Sequence, residues 1–172
     1  SEMIKRRKEL SEWLDATNPD LSAFYKRGGK IIITVGTMDN VASSGAQLDY
    51  YQSLINTLGQ KKIDDFARLY VVPQGGHGLS GKSYKMNGDG KLVAQRNIPS
   101  PNNNDKLDML IAWVEKDQAP AKTLVVDEKG RLSTKTEGKG YLLCSYPNYP
   151  RYVGGPAEEV SSYISAAPGL AP

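Results

Sequence analysis

The feature that most constrains the fold is a pair of apolar runs separated by one amphipathic helix. The first run, Lys30 to Val35, reads Lys-Ile-Ile-Ile-Thr-Val, and the second lies at Ala67 to Val72. Neither run alternates apolar with polar residues, which is typical of strands covered on both faces and therefore of a parallel sheet. Between them, apolar residues recur at helical spacing from 48 to 58 and stop at Gly59. Strand, helix and strand in this order predict an α/β fold with two parallel strands.

Each predicted strand runs into a loop that carries a residue suited to proton transfer. Asp39 follows the first strand, and His77, the only histidine among 172 residues, follows the second. Because parallel strands end at one edge of a sheet, both side chains are expected at that edge, where α/β proteins place their sites. An acid that precedes a histidine is the second half of the serine, acid, histidine order of α/β-hydrolases. In that relay Asp39 orients one ring nitrogen of His77, and the other nitrogen takes a proton from a serine.

The serine of such a relay is missing from the motifs of this chain. No Gly-x-Ser-x-Gly occurs, and Ser80 is one residue short of that spacing and follows the wrong element. We interpret Ser80 as a loop residue and Ser44 as the N-cap of the helix between the strands, with Gln47 completing a capping box. The acid and the histidine are therefore expected to activate a serine outside this chain.

Composition argues against several other classes of protein. The net charge of +3 is small, and the basic cluster at Lys5 to Lys8 lies on a helical pattern, so nucleic acid is not an expected partner. No apolar run of about 18 residues occurs, so no membrane span is expected. The single cysteine, Cys144, cannot form an internal disulfide, and with one histidine it cannot build a zinc cluster. No cofactor is expected in this chain.

The remaining patterns divide the chain into two parts. Residues 1–120 are expected to form the α/β core that carries the acid and histidine loops, and residues 121–172 a hairpin and an aromatic, proline-rich tail packed on that core. The core is predicted to contain helices at 3–16, 21–25 and from Asn102 to Ala119, a polar linker at 60–65 and a hairpin around 87–90. The last helix is predicted to bury Leu107, Leu110, Ile111 and Val114, with Trp113 alongside. The tail is predicted to contain a hairpin at 123–134 and a strand at 141–144.

Six segments of the chain, taken together, carry a resemblance to one family. In order they are Phe24–Ile32, Gly36–Asp39, Asp49–Tyr51, Asp65–His77, Leu110–Pro120 and Leu143–Pro147. They resemble the C-terminal part of the tannase and feruloyl esterase family, in the same order and across about three quarters of the chain.

This resemblance implies the C-terminal portion of an α/β-hydrolase fold. It implies a secreted or periplasmic serine carboxylester hydrolase that cleaves small-molecule esters of aromatic acids, with Asp39 as the acid and His77 as the base. In that family the nucleophilic serine and a large lid domain, which often holds calcium, precede the acid. The implied partner is thus an N-terminal portion that carries both. Where the family usually has a cysteine bonded to one beside the serine, this chain has Gly78, whereas Cys144 matches a family cysteine.

Two other functions stay open on the residues alone. One is a non-catalytic α/β-hydrolase-like binding or scaffold domain, in which Asp39 and His77 perform no chemistry. The other is a different hydrolase, such as an amidase or peptidase, that uses the same relay.

Overall fold

The computed structural model describes residues 1–169 of the chain. Its helices are α1 (Glu2–Leu14), α2 (Ser22–Lys26), α3 (Ser44–Leu58), α4 (Gln60–Phe66) and α5 (Asn103–Lys116), with a 3-10 turn at Val160–Ser162. Its strands are β1 (Ile31–Gly36), β2 (Ala67–Val72), β3 (Gly81–Met86), β4 (Leu92–Ile98), β5 (Thr123–Asp127), β6 (Leu132–Ser133), β7 (Gly140–Cys144), β8 (Tyr149–Tyr152) and β9 (Tyr163–Ala166).

The predicted strand–helix–strand unit is present. β1 and β2 pair in parallel, from Ile31 opposite Ala67 to Gly36 opposite Val72. Helices α3 and α4 cover one face of this pair, and side chains from β5 and β7 pack against Tyr70 and Val72 on the other. Because both faces are covered, the apolar runs carry no polar alternation. The α/β prediction is confirmed, and the acid and histidine loops leave the sheet at the same edge.

The segment after α3 is a helix, and the predicted polar linker at 60–65 is wrong. Gly59 adopts a φ of +83°, which ends α3 and lets α4 begin at the next residue. Ile63 and Phe66 of α4 are fully buried against the sheet. A seven-residue helix with two buried residues is too short to show a helical period in the sequence. The helix forms because these two residues pack against the sheet.

The N-cap of α3 is Ser43 and not the predicted Ser44. The side-chain oxygen of Ser43 accepts a hydrogen bond from the backbone N–H of Ala46 at 3.2 Å. The hydroxyl of Ser44 instead donates to the carbonyl oxygen of Gly36 at 2.6 Å, so it ties the start of α3 to the end of β1. Two adjacent serines fit the same cap signal, and only the path of the chain out of β1 distinguishes them.

Helix α5 begins after its predicted cap, Asn102, but it is rotated about its axis relative to the prediction. Trp113 is buried, and the ammonium of Lys30 and the guanidinium of Arg68 lie 5.2 and 5.1 Å from its ring centroid. These cation–π contacts orient the helix by its tryptophan. Three residues of the predicted buried stripe are consequently exposed, namely Leu107, Ile111 and Val114.

The second half of the chain shares the core of the first. β5 lies between β6 and β7 and is antiparallel to both, which confirms the hairpin at 123–134. A bridge between Tyr70 and Ser145 joins β7 to the far side of β2. The hairpin of β3 and β4 is also confirmed, and β8 pairs with β9. The last three residues of the predicted tail lie outside the described residues. None of the described helices is long and apolar enough to cross a membrane.

Candidate active site

Asp39 and His77 meet at the edge where β1 and β2 end. Nδ1 of His77 lies 3.0 Å from Oδ2 of Asp39, although the two residues are 38 positions apart. The parallel register brings them together, because Gly36 at the end of β1 lies opposite Val72 at the end of β2. The Asp39 side chain is 7% exposed and that of His77 is 62% exposed. The carboxylate is thus sheltered, and the imidazole is open to an approaching group.

Backbone N–H groups hold the carboxylate of Asp39 in place. Its Oδ1 accepts hydrogen bonds from the N–H of Val41 at 2.9 Å and from that of Ala42 at 3.0 Å. The bond from Ala42 contributes most to lowering the pKa of Asp39 below its usual value; the bonds from Val41 and His77 lower it further, whereas burial raises it. Asp39 is therefore ionised at neutral pH, with Oδ1 bound to backbone and Oδ2 facing the imidazole.

The other ring nitrogen of His77 has no hydrogen-bond partner in residues 1–169. The backbone carbonyl of Ser80, the serine of the same loop, accepts a hydrogen bond from the N–H of Gly76 at 2.9 Å, and this bond closes the loop. With Nδ1 on the carboxylate, Nε2 is the nitrogen that can take a proton from a hydroxyl. The described residues thus assemble a base and the group that orients it, and a nucleophile has space to approach.

The two loops are also joined through their backbones. The N–H of Thr37 donates to the carbonyl of Val72 at 3.1 Å, and that of Met38 donates to the carbonyl of Gly75 at 2.9 Å. A third bond between the loops uses the hydroxyl of Thr37, a residue that the sequence analysis did not single out. A threonine after a strand is too common to mark a site, so the sequence carries no signal for it.

Cys144 and the acidic residues do not extend the site. Cys144 is buried in β7, and its burial raises the pKa of the thiol, which makes it an inert apolar residue. Within the described part of the chain, no group of three or more His, Cys, Asp or Glu side chains is placed to hold a metal ion.

Comparison with known proteins assigns the chain that carries this site to a family. A family model described as tannase and feruloyl esterase matches residues 1–166. The chain belongs to the tannase and feruloyl esterase family. This agrees with the resemblance carried by the six segments, and the members with which the chain aligns are named as esterases or hydrolases.

Three similar proteins show how much of such an enzyme the tannase-family chain spans. An uncharacterised esterase of Agrobacterium fabrum is 32% identical over 159 residues, covering 92% of this chain and 25% of that protein. The mono(2-hydroxyethyl) terephthalate hydrolase of Piscinibacter sakaiensis is 31% identical over 166 residues, covering 91% and 23%. The crystal structure of feruloyl esterase B from Aspergillus oryzae matches with a TM-score of 0.65 and 26% identity, covering 87% and 29%. The chain spans about a quarter of the length of the curated relatives it matches, and its fold is the C-terminal portion of an α/β-hydrolase fold.

Proposed function

We propose that this tannase-family chain is the C-terminal part of a serine carboxylester hydrolase, in which Asp39 and His77 activate a serine supplied by an N-terminal portion. The observation that carries the proposal is the 3.0 Å contact between the ionised Asp39 and Nδ1 of His77, whose side chain is 62% exposed. A surface histidine without an orienting carboxylate would not favour catalysis over the scaffold alternative.

The proposed relay assigns one step to each side chain. Asp39 accepts the Nδ1–H of His77, and Nε2 takes the serine proton as the serine oxygen attacks the ester carbonyl. The imidazolium, stabilised by the carboxylate, then gives that proton to the departing alcohol. Water repeats the sequence on the acyl-enzyme, and the free acid leaves. General base catalysis of this kind contributes on the order of 10²–10⁴-fold, and the donors for the oxyanion come with the serine.

We propose esters of aromatic acids as the substrates. Support comes from the family and from relatives whose names specify feruloyl and terephthalate esters. The apolar side chains of Met38 and Val41, which stand on either side of Asp39 in the acid loop, are 67% and 72% exposed. They offer an aromatic ring an apolar surface beside the base. By the same resemblance we propose a secreted or periplasmic location, and calcium only in a lid domain outside this chain.

A bare surface next to the site supports the proposed N-terminal portion. In the described part of the chain β1 pairs only with β2, so the other edge of β1 presents unpaired backbone groups. The exposed stripe of α5 consists of apolar residues on successive turns of the helix, which are Leu107, Ile111 and Val114. We call the unpaired edge of β1 and this stripe together the β1–α5 surface.

One contact and the order of the strands support a common direction for the stripe and the unpaired edge. The carboxylate of Asp105, on the opposite side of α5, accepts the backbone N–H of Leu132 at 2.8 Å, so that side of the helix faces β6. Strand β6 belongs to the sheet that continues from β2 through β7, away from β1. The stripe therefore lies on the side of α5 away from β6, and the unpaired edge of β1 is the edge of the sheet away from β6. We propose that the N-terminal portion adds a parallel strand to β1 and covers the stripe, because parallel sheets are buried on both faces and bare edges invite pairing.

The proposal is tested on the complete hydrolase with a fluorophosphonate probe and with methyl ferulate as the ester. We expect the probe to label one serine outside residues 1–172, His77→Ala to abolish turnover, and Asp39→Asn to lower kcat on the order of 10²–10⁴-fold. Gln118→Ala, a change at an exposed residue after α5, serves as the control. An intact protein that neither reacts with the probe nor hydrolyses the ester supports the scaffold alternative instead, and hydrolysis of amides alone supports the amidase or peptidase.

A further inference from the structure

We propose that Thr37 is a positioning residue, which sets the geometry of the Asp39–His77 pair by holding the histidine loop against the acid loop. The contact geometry stands without any catalytic assumption, and the effect on turnover rests on the function proposed above. Among the described residues, Thr37 forms no hydrogen bond with the imidazole or the carboxylate, so it acts through the backbone of the two loops.

Thr37 holds the start of the histidine loop at two points. Its backbone N–H donates to the carbonyl of Val72, the last residue of β2, at 3.1 Å. Its side-chain oxygen accepts the backbone N–H of Gln74 at 2.7 Å. One residue of the acid loop thus holds both sides of Pro73. The direction in which the chain leaves β2 is set by this pair of bonds.

Gln74 needs such a contact because of its backbone conformation. Its φ is +57°, a left-handed value that residues other than glycine rarely adopt. A residue in this conformation persists only where surrounding contacts fix it, and here the threonine oxygen receives its N–H. The turn bond from the N–H of Gly75 to the carbonyl of Val72, at 3.3 Å, also supports this conformation, and removing the threonine acceptor leaves that longer bond to hold it.

The position of Gln74 reaches His77 through two glycines. Gly75 and Gly76 are the only residues between them, and backbone hydrogen bonds of 2.9 Å hold the carbonyl of Gly75 and the N–H of Gly76, so a shift of Gln74 is passed on to His77. On the other loop, Asp39 is two residues beyond Thr37. In the described residues, two side-chain hydrogen bonds join residues 36–40 to residues 73–80: Thr37 to Gln74, and Asp39 to His77. The first bond therefore supports the second.

Two substitutions separate the hydroxyl from the shape of the side chain. Thr37→Val keeps the branched shape and removes the acceptor, whereas Thr37→Ser keeps the acceptor. Thr57→Val is the matched control, because the Thr57 hydroxyl donates within α3, to the carbonyl of Ser53 at 2.8 Å. Only the first of the three is expected to disturb the site.

The first readout is the tautomer of the imidazole in the 172-residue chain. Because the chain has one histidine, the ring signals in a long-range proton–nitrogen spectrum belong to His77 without further assignment. The Asp39 contact favours the Nδ1–H tautomer, which a free imidazole does not prefer. We expect Thr37→Val to lower the ratio of Nδ1–H to Nε2–H by about tenfold, as for the loss of a charge-assisted hydrogen bond. Thr37→Ser and Thr57→Val should leave it within about twofold of wild type.

The second readout is turnover of methyl ferulate by the complete hydrolase. Misplaced catalytic groups lower kcat without weakening substrate binding, so Thr37→Val should lower kcat by about 10- to 100-fold with KM within about twofold. Thr37→Ser should restore most of the lost kcat. A purely structural role for Thr37 predicts lower thermal stability with unchanged tautomer ratio and kcat.

The outcomes distinguish the two proposals. A wild-type chain in which His77 is not Nδ1-protonated toward Asp39 overturns the proposed function. A wild-type chain with that tautomer, and a folded Thr37→Val variant that keeps both it and normal kcat, overturns the positioning role alone. If Thr37→Val does not fold, Thr37→Ala is measured in its place, and if neither folds the role is one of stability and the inference is wrong.

Discussion

The α-carbon of Gly36 faces the backbone carbonyl of Gly75 so closely that residue 36 has no room for a side chain. The first glycine ends β1 and the second lies in the histidine loop. Their close approach allows the N–H of Met38 to reach the same Gly75 carbonyl at 2.9 Å. The distance between the acid and the histidine therefore depends on a backbone contact that only glycine permits.

Gly36→Ala should consequently destabilise the chain by about 1–3 kcal/mol, because the added methyl group must displace the histidine loop. Urea unfolding followed by circular dichroism measures this difference. Gly88→Ala, in the turn between β3 and β4, is the matched control, since no atom lies within 4 Å of the added carbon. Equal unfolding midpoints for the two variants would show that the loop adapts and that the contact is unimportant.

The parts of this fold that could be predicted from sequence are the segments whose own residues show a clear hydrophobic pattern. The largely apolar runs of β1 and β2 show no polar alternation, so they predict two parallel strands, and parallel strands bring Asp39 and His77 to one edge. Topology thus predicts that the two side chains lie at the same edge, whereas the contact between them depends on the loops. The role of each residue in catalysis stays a proposal.

The parts that could not be predicted depend on tertiary packing. The short helix α4 exists because Ile63 and Phe66 are buried, which no period in seven residues reveals. The rotation of α5 depends on two cations that meet Trp113, Lys30 just before β1 and Arg68 in β2. The exposed stripe of α5 has the expected helical spacing, which predicts burial in the core of this chain. Spacing alone does not identify what covers an apolar face, so the prediction is wrong for these residues.

The acid limb of the stability curve should depend on Asp39. Its folded pKa lies below its usual value, chiefly through the N–H of Ala42, so its contribution to stability is present above about pH 4 and is lost as pH falls through the folded value. Asp39→Asn removes this contribution, and the free energy of unfolding should then fall less steeply below about pH 4. Urea midpoints measured across this range test the slope. Asp89→Asn, in the turn between β3 and β4, should leave the slope unchanged; the same change of slope in both variants would contradict the assignment.

Lys106 should destabilise the chain at neutral pH. Burial lowers the pKa of Lys106. Within the described residues its ammonium donates a long hydrogen bond, of 3.5 Å, to the hydroxyl of Thr34. The folded state thus binds this proton less tightly than the unfolded state, so stability should rise as pH increases from the lowered folded pKa toward the ordinary lysine value of about 10.4. Lys106→Met should raise the melting temperature at pH 7 and remove that rise. Lys91→Met, at an exposed turn, is the control, and an unchanged melting temperature for Lys106→Met would show that its burial carries no cost.

The β1–α5 surface should matter only when the N-terminal portion is present. Leu107 and Ile111 are 54% and 42% exposed, so Leu107→Asp with Ile111→Asp should change the melting temperature of the 172-residue chain little. In the complete hydrolase the same pair would bury two charges against an apolar partner, which is strongly unfavourable. Fluorophosphonate labelling and soluble yield should both fall sharply. Leu92→Asp, at an exposed position of the β3–β4 hairpin, should leave both near wild type. If the doubly substituted hydrolase labels and accumulates as wild type does, the N-terminal portion docks elsewhere, although the Asp39–His77 relay could still operate.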